Sequence, residues 1–115
     1  MEVPVTTLDA LIEAHGLPAF CKIDVEGSEA EVLAGLSQAV RGVSVEFVAG
    51  SLEVAAACVQ RLDQLGVYEF NAVAGERRQF VFDQWLTSRR MLEWLDRGVG
   101  GVSSGDIYAR LVPNR

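Results

Sequence analysis

Apolar residues recur along the chain at spacings that alternate between helical and strand-like. After Thr6, apolar residues follow the i, i+3, i+4, i+7 spacing of a helix. Thr6 and Asp9 form an acidic variant of a capping box at its start. Gly16 and Pro18 mark its end. The short apolar run over 19–25 is typical of a buried strand. Two further pairs of a helical segment followed by a strand-like segment come after it. The pattern predicts helices over 6–15, 28–40 and 51–65, and strands over 19–25, 43–49 and 67–73.

The rest of the chain is less regular. It predicts a short strand over 79–82, a short helix over 87–96, a flexible loop over 98–105 and a final strand over 106–111. Helices and strands in alternation, joined by right-handed crossovers, favour an α/β domain around a largely parallel sheet. Since no internal repeat or long linker divides the 115 residues, we expect one domain.

Composition excludes several classes of protein. The net charge of −6 argues against a partner that binds nucleic acid through its phosphates. No apolar run is long enough to cross a bilayer, and the first residues lack the features of a signal peptide, so we expect no membrane association. Cys21 and Cys58 are interpreted as buried, reduced thiols of a cytoplasmic protein. With His15 as the only histidine, we expect no metal site.

One segment concentrates the residues that can do chemistry. Asp24 and Glu26 follow the predicted strand over 19–25, and Gly27 allows a sharp turn into the next helix. In open α/β sheets, ligands bind outside the carboxyl ends of the strands. Two acids on one side of such an end can take different protonation roles or hold a hydroxyl group. Acids that merely cap the next helix explain the pattern equally well, so both interpretations stay open.

Other polar and aromatic residues are weaker candidates. Glu46 lies in the middle of a predicted strand, where a carboxylate is costly unless it is paired or lies at the edge of a site, so it is a second candidate site residue. The pairs at 77–78 and 89–90 are interpreted as solvated arginines rather than a phosphate clamp. For Trp85 and Trp94, core packing is favoured over a substrate lid.

The segment from Lys22 to Leu33, Lys-Ile-Asp-Val-Glu-Gly-Ser-Glu-Ala-Glu-Val-Leu, closely resembles the signature of FkbM-type S-adenosylmethionine-dependent methyltransferases. Residues 5–11 resemble the helix that precedes it in the family, and residues 105–108 the family's final strand. The resemblance implies a Rossmann-like class I methyltransferase sheet of order 3-2-1-4-5-7-6, mostly parallel with a final antiparallel strand. It also implies S-adenosylmethionine as cofactor and O-methylation of a small molecule, a sugar or a natural product.

The resemblance also implies roles for individual residues. Asp24 would lie beside the methyl donor and orient or deprotonate the acceptor hydroxyl. Glu26 would support that site or contact the acceptor, and Lys22 would balance the charge of the two acids. Glu46, singled out by its position in a predicted strand rather than by the resemblance, is taken as a substrate-binding candidate.

One part of the family pattern is missing. Such enzymes hold the cofactor mainly on a Gly-rich turn after the first strand, but the resemblance here begins near residue 5, and the Gly-rich stretch over 98–105 follows a helix. We therefore expect residues 1–115 to be the carboxy-terminal part of a methyltransferase domain, without its amino-terminal cofactor-binding half and inactive alone. The strand over 19–25 would then have an exposed edge, which predicts self-association or pairing with a separate amino-terminal half.

Two other functions remain open from the sequence. A non-catalytic remnant that serves as an assembly or binding module would retain the same elements without binding the cofactor. A small nucleotide-binding domain is less favoured, because no segment has the context of a phosphate-binding loop.

Overall fold

The computed structural model describes residues 8–16, 19–23, 29–75 and 77–113. Within these ranges the helices and strands alternate through most of the chain, as the apolar pattern predicts. In chain order they are α1 (Leu8–His15), β1 (Phe20–Ile23), α2 (Glu29–Ala34), β2 (Gly42–Val48), α3 (Leu52–Leu65), β3 (Tyr68–Ala74), α4 (Ser88–Asp96) and β4 (Ser104–Leu111).

The four strands form one mixed sheet in the order β1-β2-β4-β3. β1 and β2 pair in parallel, whereas β4 is antiparallel to both of its neighbours, β2 and β3. β1, β2 and β3 therefore run in one direction, and their carboxyl ends meet at the same side of the sheet as the start of β4. We call this side the carboxyl edge; it comprises the ends of the three strands at Ile23, Val48 and Ala74, and Ser104.

The sheet is mixed rather than largely parallel: β1, β2 and β3 share one direction, and the final strand is antiparallel, as expected. Only β1 and β2 are parallel neighbours, because the last strand inserts between β2 and β3. Local alternation of helices and strands fixes the direction in which each strand returns. It does not determine which strands become neighbours, because hydrogen bonding across the sheet joins residues far apart in the chain.

The two faces of the sheet differ in chemistry. One face is apolar, with Val45, Phe47, Phe70 and Ile107 fully buried in a core that α2, α3 and α4 complete. Since side chains alternate along a strand, the intervening residues share the opposite face. We call this the polar face; it carries Lys22, Ser44, Glu46, Glu69, Asn71, Asp106, Tyr108 and Arg110.

Asp9, predicted as part of a helix cap, makes a longer-range contact. Its carboxylate accepts a hydrogen bond from the backbone N of Ser37 at 2.7 Å, and its own backbone N donates to the carbonyl of Gly35 at 3.0 Å. Hydrogen bonding by the side chain and backbone of Ser37 holds the pKa of Asp9 below its ordinary value. The contact ties α1 to the turn after α2. Thr6, the other residue of the capping pattern, lies outside the described residues.

The helix predicted over 28–40 is shorter than expected, because α2 ends at Ala34. The Arg61 guanidinium on α3 donates to the carbonyl oxygens of Leu33 at 3.3 Å and Leu36 at 2.6 Å. These carbonyls at the end of the helix are thus satisfied by a side chain from a distant part of the chain. Val40, which the helical spacing placed on an apolar face, is buried from an irregular segment instead.

The strand predicted over 79–82 is also wrong. The chain after β3 makes only isolated bridges to β3: Phe80 pairs with Val73, and further along Leu86 pairs with Phe70. The buried side chain of Asn71 holds it in place, donating to the carbonyl of Phe82 at 3.0 Å and accepting from its backbone N at 3.2 Å. This amide side chain and a few separate backbone hydrogen bonds, such as that from the Val81 N to the Ala72 carbonyl at 2.7 Å, replace a continuous ladder.

Cys21 and Cys58 are free and buried, which confirms the interpretation as reduced thiols. Burial, reinforced by the negative charge of Glu29, raises the pKa of Cys58 from 9.0 to about 12, and burial raises the pKa of Cys21 as well. A thiol that is harder to ionise in the folded state favours folding fully below its unfolded pKa. That contribution is lost as the pH rises towards the folded value.

We therefore expect the ionisation of Cys58 to lower the free energy of unfolding by about 1 kcal/mol per pH unit as the pH rises from about 9 towards 12. Urea unfolding across this range measures the slope. Cys58→Ala is the matched variant, and it should flatten the decline. An unchanged slope would show that ionisation of Cys58 is not coupled to folding.

Candidate functional site

The residues that the sequence singled out converge on the carboxyl edge as far as the structure describes them. Asp24 and Glu26 lie in the segment over 24–28, outside the described residues, directly after the end of β1 at Ile23. Ile23 is in register with Val45 on β2. Lys22 is exposed on the polar face, in register with Ser44.

Glu46 lies near the carboxyl edge on β2, with its side chain half-buried. Its partner across the sheet is Asp106 on β4, also half-buried. Like charges directly opposite each other in a sheet are destabilising. Each of the two residues takes part in at least one further interaction. The position of this pair next to the ends of β1 and β2 makes it a candidate for binding an acceptor hydroxyl.

Asp106 is a residue that the sequence analysis missed as a site candidate. The alternation of the final strand placed it on the same face as Tyr108 and Arg110, but only the register with β2 brings it opposite Glu46. That register joins residues 60 positions apart, and no local pattern reports it.

A cleft of about 510 Å³ opens at the carboxyl edge where β3 ends and β4 begins. We call it the edge cleft, and its lining includes Gly75, Arg77, Arg78, Phe80, Asp106 and Tyr108. Its volume lies within the range of about 300 to 1,000 Å³ that is usual for small-molecule sites. Two guanidinium groups, two aromatic rings and one carboxylate therefore line the same cleft.

Aromatic rings line one side of the polar face. The ring of Tyr108 lies 5.7 Å from that of Phe80 in an edge-to-face arrangement and 6.4 Å from that of Phe20 on β1. Phe80 also packs edge-on against Trp85 at 5.2 Å. The row thus extends from β1 across β4 to the segment after β3.

The two tryptophans have different environments. Trp94 packs edge-on against Phe47 at 5.7 Å and Phe82 at 5.2 Å, so core packing is confirmed for this residue. Trp85 instead lies under the guanidinium of Arg110, 4.0 Å from the ring centroid. Because that contact is a cation–π interaction on the polar face, Trp85 contributes to the aromatic row rather than to the core.

The Gly-rich stretch does not have the context of a cofactor loop. Gly98, Gly100 and Gly101 have positive φ in a 3₁₀ turn that follows α4 and leads into β4. The turn between β2 and α3 does join a strand to a helix, but it contains one glycine, Gly50. Across residues 8–16, 19–23, 29–75 and 77–113, therefore, no Gly-rich turn links a strand directly to a helix, and these residues do not fit the main binding loop of a nucleotide-like cofactor.

A second cleft, of about 590 Å³, lies between α3 and α4. Leu52, Ala56 and Leu92 give it apolar walls, and Glu53 and Asp96 add negative charge. None of the site residues predicted from the sequence lines this cleft. It therefore adds nothing to the chemistry of the carboxyl edge.

Metal and membrane chemistry find no support in the part of the chain that the structure describes. No group of three or more histidine, cysteine, aspartate or glutamate side chains could hold a metal ion there. Nor does any helix among these residues have the length and apolar character needed to span a membrane. Among the described residues, the charged and aromatic side chains that could bind a ligand are concentrated at the carboxyl edge.

The sequence was compared with models of known protein families. Residues 1–97 match a family model described as Methyltransferase FkbM domain. The matched range contains the segment from Lys22 to Leu33 and the described elements from α1 to α4, whereas β4 lies beyond it. No curated protein matches the chain significantly.

Proposed function

Because the chain belongs to the FkbM methyltransferase family, we propose that it takes part in transferring a methyl group from S-adenosylmethionine to a hydroxyl of a small molecule, a sugar or a natural product. The family match over residues 1–97 carries this proposal. The cofactor, when bound, supplies an electrophilic methyl group. The residues of this chain would bind the acceptor, orient its hydroxyl and take up the hydroxyl proton.

The strand order supports a Rossmann-like methyltransferase sheet. The last four strands in the order 3-2-1-4-5-7-6 are 4-5-7-6. In this arrangement the final strand, number seven, is antiparallel and lies between strands five and six. The order β1-β2-β4-β3, with β4 antiparallel, has this arrangement. We therefore assign β1, β2, β3 and β4 to strands four, five, six and seven of such a sheet, which makes the chain the carboxy-terminal part of the domain.

The register supports an acceptor site made of several carboxylates. Asp24 follows Ile23 in the chain, Glu46 follows Val45, and Ile23 and Val45 are cross-strand partners. In our proposal, Asp24 orients the acceptor hydroxyl and accepts its proton, and Glu46 holds the acceptor from β2. A carboxylate placed in this way contributes by alignment and by general base catalysis.

The neighbours of Asp24 have supporting roles in the proposal. Glu26 contacts the acceptor or supports Asp24 from the same segment. Lys22, exposed on the polar face one residue before the end of β1, offsets part of the negative charge. Without such a cation, several carboxylates at one edge would repel each other.

We further propose that a partner covers the edge of β1, either a second copy of this chain or a separate amino-terminal half, which would also complete the donor site. Within the described residues β1 pairs only with β2, and Phe20 at its start is 51% exposed. A strand edge with an exposed aromatic residue is suited to pairing with another strand. The free thiols of Cys21 and Cys58 support a reducing compartment such as the cytoplasm.

Calorimetry with S-adenosylmethionine tests the function. We expect the chain alone to show no micromolar binding, because its described residues lack the donor loop. Fused behind the amino-terminal half of an FkbM methyltransferase, it should bind the donor with micromolar affinity and transfer a radiolabelled methyl group to hydroxylated acceptors.

Micromolar binding by the chain alone would contradict the incomplete donor site. A folded fusion that binds the donor but transfers no methyl group would instead favour a non-catalytic assembly module. Sedimentation of the chain at high concentration adds a check on β1: a strict monomer that also fails to bind the amino-terminal half would contradict strand pairing at this edge.

A further inference from the structure

We propose that the edge cleft binds an anionic group of the methyl acceptor through Arg77 and Arg78, so that the acceptor is an anionic carbohydrate such as a uronic acid or a sugar phosphate. This inference rests on the proposed function, in that it names the class of acceptor bound at the carboxyl edge. It is carried by the side chains of the cleft itself.

The two arginines are available for a ligand. Both are exposed, both line the edge cleft, and neither forms an ion pair with a described carboxylate. Other arginines of the chain are engaged: Arg89 pairs with Glu93 at 3.4 Å, and Arg110 pairs with Glu69 and covers Trp85. Two adjacent guanidinium groups at a concave site, neither of them paired with a described carboxylate, are suited to a carboxylate or a phosphate of a ligand, in a chain of net charge −6.

The aromatic wall indicates a ring beside the anion. Phe80 is 44% exposed although it is a large apolar residue, and its ring plane lies at 79° to that of Tyr108. Both rings line the same cleft and lie nearly perpendicular to each other. Apolar C–H surface, such as the face of a pyranose, would be removed from water by packing there.

Asp106 restricts the ligand further. Its carboxylate lines the same cleft as the arginines and would repel an anion placed directly against it. It can accept hydrogen bonds from hydroxyl groups. A ligand that satisfies the cleft therefore carries an anionic group towards Arg77 and Arg78 and hydroxyl groups towards Asp106. Since Asp106 lies opposite Glu46, those hydroxyls also lie on the side of the proposed methyl-transfer site.

Neutral sugars and hydroxyl-free acids each match only part of this arrangement. A neutral sugar offers no anionic group to the two guanidinium groups, and an aromatic acid without hydroxyls offers no hydrogen bond to the carboxylate of Asp106. A uronic acid or a sugar phosphate matches the arginines, the rings and the carboxylate together. The sequence alone favoured solvated arginines at 77–78, and their position in the cleft is what changes that interpretation.

Titration of the ¹⁵N-labelled chain with glucuronate, glucose 6-phosphate and glucose tests the inference without any methyl donor. We expect millimolar binding of one or both anionic sugars, with glucose at least about tenfold weaker. The amides that shift should belong to residues 75–80 and 104–108. The stronger of the two anionic ligands distinguishes a carboxylate from a phosphate.

A matched pair of double variants tests the arginines. R77Q/R78Q should weaken binding of the anionic sugar about tenfold or more. R89Q/R90Q, which removes the same charge from exposed positions of α4, should change it less than about twofold. Equal binding of glucose and the anions, no binding of either anion, or the same loss in both variants would overturn the inference.

Failure here is distinguishable from failure of the proposed function. Sugar binding is measured on the chain alone, whereas methyl transfer is measured on the fused domain with a broad set of acceptors. Transfer to neutral acceptors only, with no sugar-anion binding, would refute the anionic acceptor while leaving the methyltransferase function intact.

Discussion

Replacing Gly105 with alanine is expected to lower the free energy of unfolding by about 3 kcal/mol, the upper end of the usual cost of overpacking. Gly105 lies on the central strand β4, opposite Phe47 on β2 and Ala74 on β3. A Cβ atom there would overlap the backbone oxygen of Val73 and lie 2.8 Å from two ring atoms of Phe47. The Phe47 ring has little room to move, because it packs against Trp94.

Gly50→Ala is the matched control. An added Cβ at Gly50 meets no atom within 4 Å, so we expect a change of less than about 0.5 kcal/mol. Urea unfolding followed by tryptophan fluorescence measures both variants. Equal stability of the two would show that β4 does not lie as close to β2 and β3 as the structure has it. Because Asp106 follows Gly105 directly, Gly105→Ala should also weaken sugar binding in the edge cleft.

The elements of the fold that the sequence predicts are those set by local periodicity. The helical spacing of Cys58 and Leu62 on α3 and the alternation of Ile107 with Tyr108 on β4 both report burial correctly. In each case the residues that share a face are close in sequence. In such segments the local pattern alone predicts whether the element is a helix or a strand and which of its faces is buried.

The wrong predictions share a different physical cause. α2 ends early where Arg61 bonds to carbonyls 25 and 28 positions away, and the segment after β3 is held by Asn71 instead of by a ladder. The order of strands likewise depends on hydrogen bonds between β2 and β4. Interactions between distant residues leave no period in the sequence, so periodicity cannot predict them.

The residues of the candidate site likewise divide into those that a local pattern identifies and those that only long-range contacts bring together. Glu46 could be identified from the sequence because a carboxylate within a buried strand is unusual by itself. Asp106 and the Arg77–Arg78 pair could not, since an acid at the start of a strand and arginines in a loop are ordinary on their own. Register and the turn after β3 bring them into one cleft.

Asp24→Ala is expected to lower the rate of methyl transfer about 100-fold in the fused domain, the lower end of the usual contribution of a general base. Donor affinity should change little, because Asp24 acts on the acceptor hydroxyl in our proposal. Glu31→Ala is the matched control: it removes an acid from an exposed position on α2 within the same family segment, and it should retain the wild-type rate.

The most direct measurement is the single-turnover rate of methyl transfer at saturating S-adenosylmethionine, compared among the wild type, Asp24→Ala and Glu31→Ala. We expect a large loss for Asp24→Ala alone, with donor binding by calorimetry unchanged in all three proteins. A wild-type rate for Asp24→Ala with full donor binding would contradict the assignment of acceptor chemistry to the carboxyl edge of this sheet.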